Sequence, residues 1–197
     1  DGSGTALIGR SDYHEEIGGR RLRVSAGSFF QVNRTQAEAL LGLVRQYAAL
    51  QAGDAVLDLY SGVGTFGLNL AGAAARVILV EENPSAAADA RANAEGLERV
   101  EVVQGAAEDV LPRLQGPFAV AITDPPRAGM DRRALQALAT LAPDRIVYVS
   151  CDPGSLARDV RYLAEHGYRF VEATPVDMFP QTHHVETVAL LRCDRDP

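Results

Sequence analysis

The sequence predicts an α/β fold with a mostly parallel, seven-stranded sheet and helices on both faces. Short apolar runs alternate with helix-like segments from residue 53 to the end of the chain. Most of these runs are almost continuously apolar, which is typical of parallel strands buried on both faces. Glycine-rich or acidic residues follow several runs, and ligands of such sheets bind at the carboxyl ends of the strands.

Composition indicates a globular protein with one buried core. The chain has 197 residues, of which 47% are hydrophobic and 23% charged. This length suits one domain plus some additional chain. No apolar run is long enough to span a membrane, and no signal peptide is recognisable at the N-terminus. The two cysteines, Cys151 and Cys193, are expected to be free thiols in a cytoplasmic protein.

The charge balance and the first residue both bear on what the chain can do alone. The formal net charge is −7, whereas the binding face of a free-standing nucleic-acid binder is usually basic. A local basic face or a separate RNA-binding domain would remove this conflict. The sequence begins at Asp1 rather than Met, which predicts a fragment of a longer protein.

The N-terminal part differs in character from the rest. Residues 1–33 are predicted to be a β-rich segment, the remnant of a central domain, with strands at 5–9 and 21–25 and a turn near Gly18 and Gly19. Residues 34–197 form the main domain. Its first helix is predicted over 35–50, with Thr35 as the N-cap and Glu38 completing a capping box.

The remaining elements follow in alternation. Pro84 marks the start of one helix, because proline suits the first helical turn. The predicted strands are 55–60, 76–81, 100–104, 118–123 and 145–151, the predicted helices lie near 66–73, 84–95, 132–141 and 155–166, and strands 168–173 and 186–191 close the chain as a pair.

A glycine-rich turn follows the strand at 55–60. The segment D-L-Y-S-G-V-G-T-F begins at Asp58, and Gly62 and Gly64 permit a tight turn with close approach of a ligand. Glu81 ends the next strand, where an acid can bind the two hydroxyls of a ribose. With Gly67 the loop also matches the dinucleotide pattern G-x-G-x-x-G, so a dehydrogenase stays open. Asp58 would repel a phosphate there, whereas it suits a positively charged cofactor.

Three further segments carry reactive side chains. Asp124 begins D-P-P-R, in which Arg127 is the cation, and Cys151 ends the strand at 145–151 beside a helix start that favours a thiolate. Glu186 follows a His-His-Val run. A buried core cysteine and a Cys–His protease are alternatives. A metal site is not expected, because no ligand spacing typical of zinc is present.

Five motifs occur in one order and resemble those of the RNA uracil-5-methyltransferase family, the RumA/TrmA type. The motifs are S-F-F-Q-V-N, D-L-Y-S-G-V-G-T-F, D-P-P-R-A-G, Y-V-S-C-D-P and M-F-P-Q-T-H-H-V-E. They extend over most of the chain. The resemblance implies a Rossmann-like class I methyltransferase fold that uses S-adenosylmethionine, with 34–197 as the catalytic domain.

The resemblance also implies roles for individual residues. Cys151 matches the family nucleophile and Glu186 the family base, and Arg127 would help to place the uracil or its phosphate. In this interpretation the thiolate of Cys151 attacks C6 of uracil, C5 accepts the methyl group, and Glu186 removes the C5 proton. The implied cofactor-binding residues are Gln31, Asp58, Tyr60, Gly62, Gly64, Thr65, Glu81 and Asp124.

Two positions depart from the family pattern. Ser61 stands where many relatives have Cys, and little loss of function is expected from this difference in the cofactor loop. Asp152 stands where relatives often have Asn, and its charge is expected to raise the pKa of Cys151 if it lies close. The family also commonly carries an N-terminal RNA-binding barrel, and some members hold an iron–sulfur cluster, for which this chain has too few cysteines.

The partner expected from the resemblance is RNA. The S-F-F-Q-V-N and V-D-M-F-P segments favour 23S ribosomal RNA, whereas the T-H-H segment also occurs in transfer RNA enzymes. Two alternatives stay open. One is a methyltransferase of other specificity, in which Cys151 is a core residue, and the other is an RNA-binding remnant without turnover.

Overall fold

A computed structural model describes residues 9–194. These residues begin with an antiparallel hairpin of β1 (Asp12–Ile17) and β2 (Arg20–Ser25), which turns at Gly18 and Gly19. The sequence predicted β2 and the turn, but not β1, whose charged residues hide its alternation. The strand predicted at 5–9 lies almost wholly outside the described residues.

The main sheet confirms the predicted architecture. It has seven strands: β3 (Ala55–Leu59), β4 (Arg76–Glu81), β5 (Val100–Gln104), β6 (Val120–Thr123), β7 (Arg145–Ser150), β8 (Tyr168–Val176) and β9 (Glu186–Cys193). Their order across the sheet is β5-β4-β3-β6-β7-β9-β8. All neighbours are parallel except β9, which runs antiparallel to both β7 and β8.

Helices cover both faces of this sheet. They are α1 (Arg34–Ala48), α2 (Thr65–Leu70), α3 (Pro84–Asn93), α4 (Ala107–Val110), α5 (Arg132–Leu141) and α6 (Pro153–Glu165). Side chains alternate between two cores because successive strand residues point to opposite faces. On β4, Val77 and Leu79 join the core under α1, α2 and α3, whereas Ile78 and Val80 join the core under α5.

The hairpin packs on the first of these cores. Ile17, Leu22 and Val24 are buried in the same cluster as residues of α1. Burial of three apolar side chains stabilises this attachment by several kcal/mol, at about 1.5–3 kcal/mol for each. The division of the chain at residue 33 remains a prediction.

The predicted capping of α1 by Thr35 is wrong. Asn33 is the N-cap, and its side chain accepts a hydrogen bond from Gln36 N (3.3 Å) while donating one to the carbonyl of Met178 (3.1 Å). Glu38 instead accepts a hydrogen bond from Gly18 N (2.9 Å) and so binds the hairpin turn. A tertiary contact thus occupies the Glu38 side chain that the local pattern assigned to a capping box, and the cap itself lies two residues before Thr35.

Other element ends shift by only a few residues. The sequence did not predict α4 or the 3₁₀ turn at Leu111–Arg113, which are too short for a periodic signal.

Within residues 9–194, no helix is long and apolar enough to cross a membrane.

Candidate active site

A cleft of about 780 Å³ opens at the carboxyl ends of β3 and β6. The chain leaves β3 toward β4 on one side, whereas β6 continues toward β7 on the other, so the connections diverge here. Such a divergence leaves a crevice between the loops that follow the two strands, and it is where doubly wound sheets bind their ligands.

Two carboxylates shape the loop at residues 60–64, which joins β3 to α2 and is called the first loop below. Asp58 is fully buried and accepts a hydrogen bond from Gly67 N at 2.7 Å, which ties the first turn of α2 to β3. A Cβ at Gly67 would collide with Leu79, so glycine permits the close approach of helix and strand. Gly62 has a φ of +55° and donates its N–H to Glu81 Oε2 at 2.7 Å.

Glu81 ends β4 and faces the cleft. Its Oε1 accepts a hydrogen bond from Asn83 N at 2.7 Å, while Oε2 accepts the one from Gly62. Each carboxylate oxygen has a second lone pair, so the side chain can still accept bonds from a diol. Neighbouring Ser61 adds a buried hydroxyl oxygen that has no partner among the described residues.

Acidic groups line the cleft and lie buried beneath its first loop. Burial, with smaller contributions from Asp124 and Glu81, raises the pKa of Asp58 to about 8 despite its hydrogen bond from Gly67. Burial and then Glu186 raise the pKa of Asp124 to about 7. A bound cation would relieve this repulsion, whereas a phosphate would increase it.

Cys151 and Glu186 meet at the far end of the cleft. Ser150 pairs with Thr187 in the antiparallel ladder of β7 and β9, so one further step in register brings Cys151 beside Glu186. Burial first, and then Glu186 and Asp124, raise the pKa of the Cys151 thiol. Burial also raises the pKa of Glu186. A half-buried thiol and a buried carboxyl group therefore share one wall.

Asp152 does not act on Cys151 as expected. Its Oδ1 caps α6 by accepting a hydrogen bond from Ser155 N (2.9 Å), and its Oδ2 lies 3.7 Å from Arg127 Nε. Glu186 and Asp124 are the acids that raise the pKa of the thiol, whereas Arg127 lowers it. The charge of Asp152 is instead directed to the helix end and to the exposed guanidinium.

The structure gathers most of the predicted site residues around this cleft. Those lining it are Gln31, Tyr60, Gly62, Thr65, Glu81, Asp124, Cys151 and Glu186. Asp58, Gly64 and Arg127 do not line it. Asp58 lies beneath the first loop, Gly64 packs against Leu68 at the start of α2, and Arg127 extends toward Asp152.

Several lining residues were not singled out from the sequence. Phe29 and Phe30 form part of the wall, and Asn83 and Pro84 contribute from the start of α3. The two phenylalanines directly precede Gln31 outside any helix or strand, and an adjacent aromatic pair in such a segment is a usable signal. Asn83 caps α3 by accepting from Ser85 N and Ala86 N, which the sequence N-P could have indicated.

The model of the tRNA (uracil-5-)-methyltransferase family matches residues 12–194. An uncharacterized RNA methyltransferase of Thermosynechococcus vestitus is 45% identical over 188 residues, covering 94% of this chain and 42% of the relative. One from Caldanaerobacter subterraneus subsp. tengcongensis is 44% identical over 190 residues, with coverages of 94% and 42%. The chain thus spans about two-fifths of the length of these relatives.

Solved structures give a consistent result. A Pyrococcus abyssi tRNA (uracil-54, C5)-methyltransferase in complex with S-adenosyl-L-homocysteine has a TM-score of 0.79 and 38% identity, covering 93% of this chain and 45% of that one. M. jannaschii TYW2 in complex with AdoMet has a TM-score of 0.68 at 16% identity, covering 96% and 90%, and shows the likeness of the fold alone.

Proposed function

Because the chain belongs to the tRNA (uracil-5-)-methyltransferase family, we propose that it methylates C5 of a uridine in RNA with S-adenosylmethionine as cofactor. The observation that carries the proposal is the adjacency of Cys151 and Glu186 at one end of an acidic cleft. A nucleophile and a base beside a single substrate position are what methylation of an unactivated ring carbon requires.

The cleft suits S-adenosylmethionine by its chemistry. Glu81 offers free lone pairs to the ribose hydroxyls, and Gln31, Tyr60 and Thr65 line the same space. Burial and then Glu186 raise the pKa of Asp124, and a sulfonium near this carboxyl group would favour its charged form. When bound, S-adenosylmethionine supplies an electrophilic methyl group.

Cys151 and Glu186 would divide the work on the uracil ring. The Cys151 thiolate attacks C6, which forms a C6–S bond and makes C5 nucleophilic. After C5 has gained the methyl group, Glu186 takes the C5 proton, the C6–S bond breaks and the C5–C6 double bond returns. Burial favours Glu186 as a proton acceptor because it raises the pKa of the carboxyl group.

Arg127 is proposed to help place the uracil or an adjacent phosphate. Its side chain is largely exposed and its only ionic partner among residues 9–194 is Asp152, at 3.7 Å. An incoming phosphate could replace this solvent-exposed pair at little cost. The target base is expected to leave its stack to reach the cleft.

Two RNA substrates are candidates. The S-F-F-Q-V-N and V-D-M-F-P motifs favour a uridine of 23S ribosomal RNA. The proposed location of the protein is the cytoplasm. The likeness to the Pyrococcus abyssi tRNA (uracil-54, C5)-methyltransferase favours a transfer RNA uridine as the second candidate. Matched hairpins from the two RNAs would distinguish them.

Covalent trapping with 5-fluorouridine tests the proposal. Fluorine at C5 cannot leave as a proton, so incubation with S-adenosylmethionine should leave a stable protein–RNA adduct, detected by denaturing gel and mass spectrometry. Cys151→Ala should abolish the adduct, whereas Cys193→Ala should retain it as the matched control, since Cys193 ends β9 away from the cleft. An adduct that persists in Cys151→Ala would contradict the assignment of the nucleophile.

The base has its own test. Glu186→Gln should still attack C6 of an ordinary uridine and transfer the methyl group, but it should lose turnover by about 10²–10⁴-fold. The methylated adduct should therefore accumulate without fluorine. Turnover close to the wild-type rate would show that another group removes the proton.

A further inference from the structure

A single buried carboxylate holds the segment that leads from the hairpin into the cleft. Asp89 lies on α3 and is fully buried. Its Oδ2 accepts hydrogen bonds from Ser25 N (2.7 Å) and Ser28 Oγ (2.6 Å), and its Oδ1 accepts one from Ser25 Oγ (2.8 Å). Arg23 Nε lies 3.3 Å from Oδ1. All of these partners belong to the end of β2 and the turn after it.

Asn93, one turn further along α3, binds the same strand and the first loop of the cleft. Its Oδ1 accepts a hydrogen bond from Arg23 N (2.7 Å), and its Nδ2 donates to Arg23 O (3.1 Å) and to Val63 O (3.0 Å). Val63 lies between the two loop glycines and lines the cleft. One face of α3 therefore fixes two walls of the cleft relative to each other.

The segment held by Asp89 is also attached at Gly27, whose carbonyl accepts a hydrogen bond from Asn83 Nδ2 (3.2 Å), and at Asn33, whose Nδ2 donates to Met178 O (3.1 Å). Residues 26–33 lie outside any helix or strand, and Phe29, Phe30 and Gln31 line the cleft directly after Ser28. Phe29 is 69% exposed, so burial does little to hold it in place. Phe30 packs partly on the core, and the side-chain hydrogen bond nearest to Phe29 is the one from the Ser28 hydroxyl to Asp89.

We infer that Asp89 is a positioning residue of the cofactor cleft, which acts through Ser28 to hold Phe29, Phe30 and Gln31 against the space that the cofactor occupies. The inference rests on the proposal that this cleft binds S-adenosylmethionine. Asp89 does not line the cleft, so its effect on binding passes through the segment that it holds.

Two serines provide a matched test. Ser25→Ala and Ser28→Ala each remove one hydroxyl donor to the same carboxylate, and Ser28→Ala also removes the 3.2 Å contact of that hydroxyl with Ser85 Oγ. Ser25 keeps its backbone hydrogen bond to Asp89 at 2.7 Å, whereas the hydroxyl is the bond that joins Ser28 to Asp89. Affinity for S-adenosylhomocysteine is measured by titration calorimetry, and thermal unfolding of each variant records the loss of stability.

The inference requires the two serine variants to differ in their affinity for S-adenosylhomocysteine. Ser28→Ala should weaken binding of S-adenosylhomocysteine by about tenfold, the size expected for a lost hydrogen bond to a charged group. Ser25→Ala should bind within about twofold of the wild type at a comparable loss in melting temperature. Equal affinities in the two variants would overturn the inference, whereas no binding by the wild-type chain would overturn the proposed cofactor site itself.

Asp89→Asn extends the test to the carboxylate. The amide group keeps the size of the side chain, but its NH₂ would face donors, so binding should weaken more than in Ser28→Ala. Asp109→Asn, a matched change of an exposed acid on α4, should leave the affinity unchanged. Should Asp89→Asn fail to fold, the comparison of the two serine variants still decides.

Discussion

Cys151 and Glu186 are neighbours across two antiparallel strands, although 35 positions separate them in the chain. Ser150 pairs with Thr187, and the next step in register joins the residue after β7 to the first residue of β9. The antiparallel insertion of β9 between β7 and β8 produces this contact. Burial, and after it this adjacency, raise the pKa of the thiol, because a nearby carboxylate disfavours a second negative charge.

Replacement of Glu186 should make the thiol of Cys151 more acidic. Burial raises the pKa of the thiol most, and Glu186 and Asp124 raise it further. Glu186→Gln removes the larger of these two acidic contributions. The pH profile of alkylation by iodoacetamide, measured in a Cys193→Ala background, should shift to lower pH. Asp124→Asn should produce a smaller shift in the same direction, and Arg127→Gln a shift to higher pH. An unchanged profile in Glu186→Gln would show that Glu186 does not raise the pKa of the thiol.

The charge of Asp124 should make the preference of the cleft for S-adenosylmethionine over S-adenosylhomocysteine depend on pH. The pKa of its carboxyl group is raised to about 7, so the group is largely neutral at pH 6 and largely charged at pH 8. Binding of S-adenosylmethionine should therefore strengthen relative to S-adenosylhomocysteine by about threefold or more over this interval. Calorimetric titrations of both ligands measure the ratio, and Asp124→Asn should abolish its pH dependence.

Buried Asp58 should lower stability as the pH rises. Its pKa is about 8 in the folded chain, whereas an Asp in an unfolded chain titrates at about 4. The folded state thus retains a proton that the unfolded state releases, and its contribution to the free energy of unfolding declines between these two pH values and is constant above. Asp58→Asn should flatten this decline and make the chain more stable than the wild type at pH 8.

Denaturant unfolding at pH 5, 6.5 and 8 would measure the effect of Asp58. Asn at this position can still accept the hydrogen bond from Gly67 N, so the first loop should keep its shape. Asp109→Asn, an exposed change, should retain the pH dependence of the wild type. A wild-type-like decline in Asp58→Asn would assign the pH dependence to other groups.

Gly67 should tolerate no side chain. A Cβ there would meet Leu79 and approach Asp58 Oδ2 to 2.9 Å, so Gly67→Ala should lower the free energy of unfolding by about 1–3 kcal/mol. Gly72→Ala places its Cβ in open space and should change stability by less than about 0.5 kcal/mol. Equal stabilities of the two variants would show that α2 can move away from β3.

Local patterns were sufficient where burial and backbone geometry are set by neighbours in the chain. The apolar runs predicted all seven strands of the main sheet, and the helix Arg132–Leu141 has the bounds that its pattern predicted. Local patterns failed at α1, because Asn33 and Glu38 bind partners that are distant in sequence. The strand β1 was missed because its pairing with β2, rather than its own residues, defines it.

The sequence alone was enough to predict the fold class and to propose which side chains react, since burial patterns and motifs are properties of short segments. The tertiary structure decided which groups meet. It placed Cys151 beside Glu186, directed Asp58 to Gly67 rather than into the cleft, and turned Asp152 toward Arg127. Hydrogen bonds and charge interactions depend on distances of a few ångströms between residues far apart in the chain, and only the packed strands and helices set those distances.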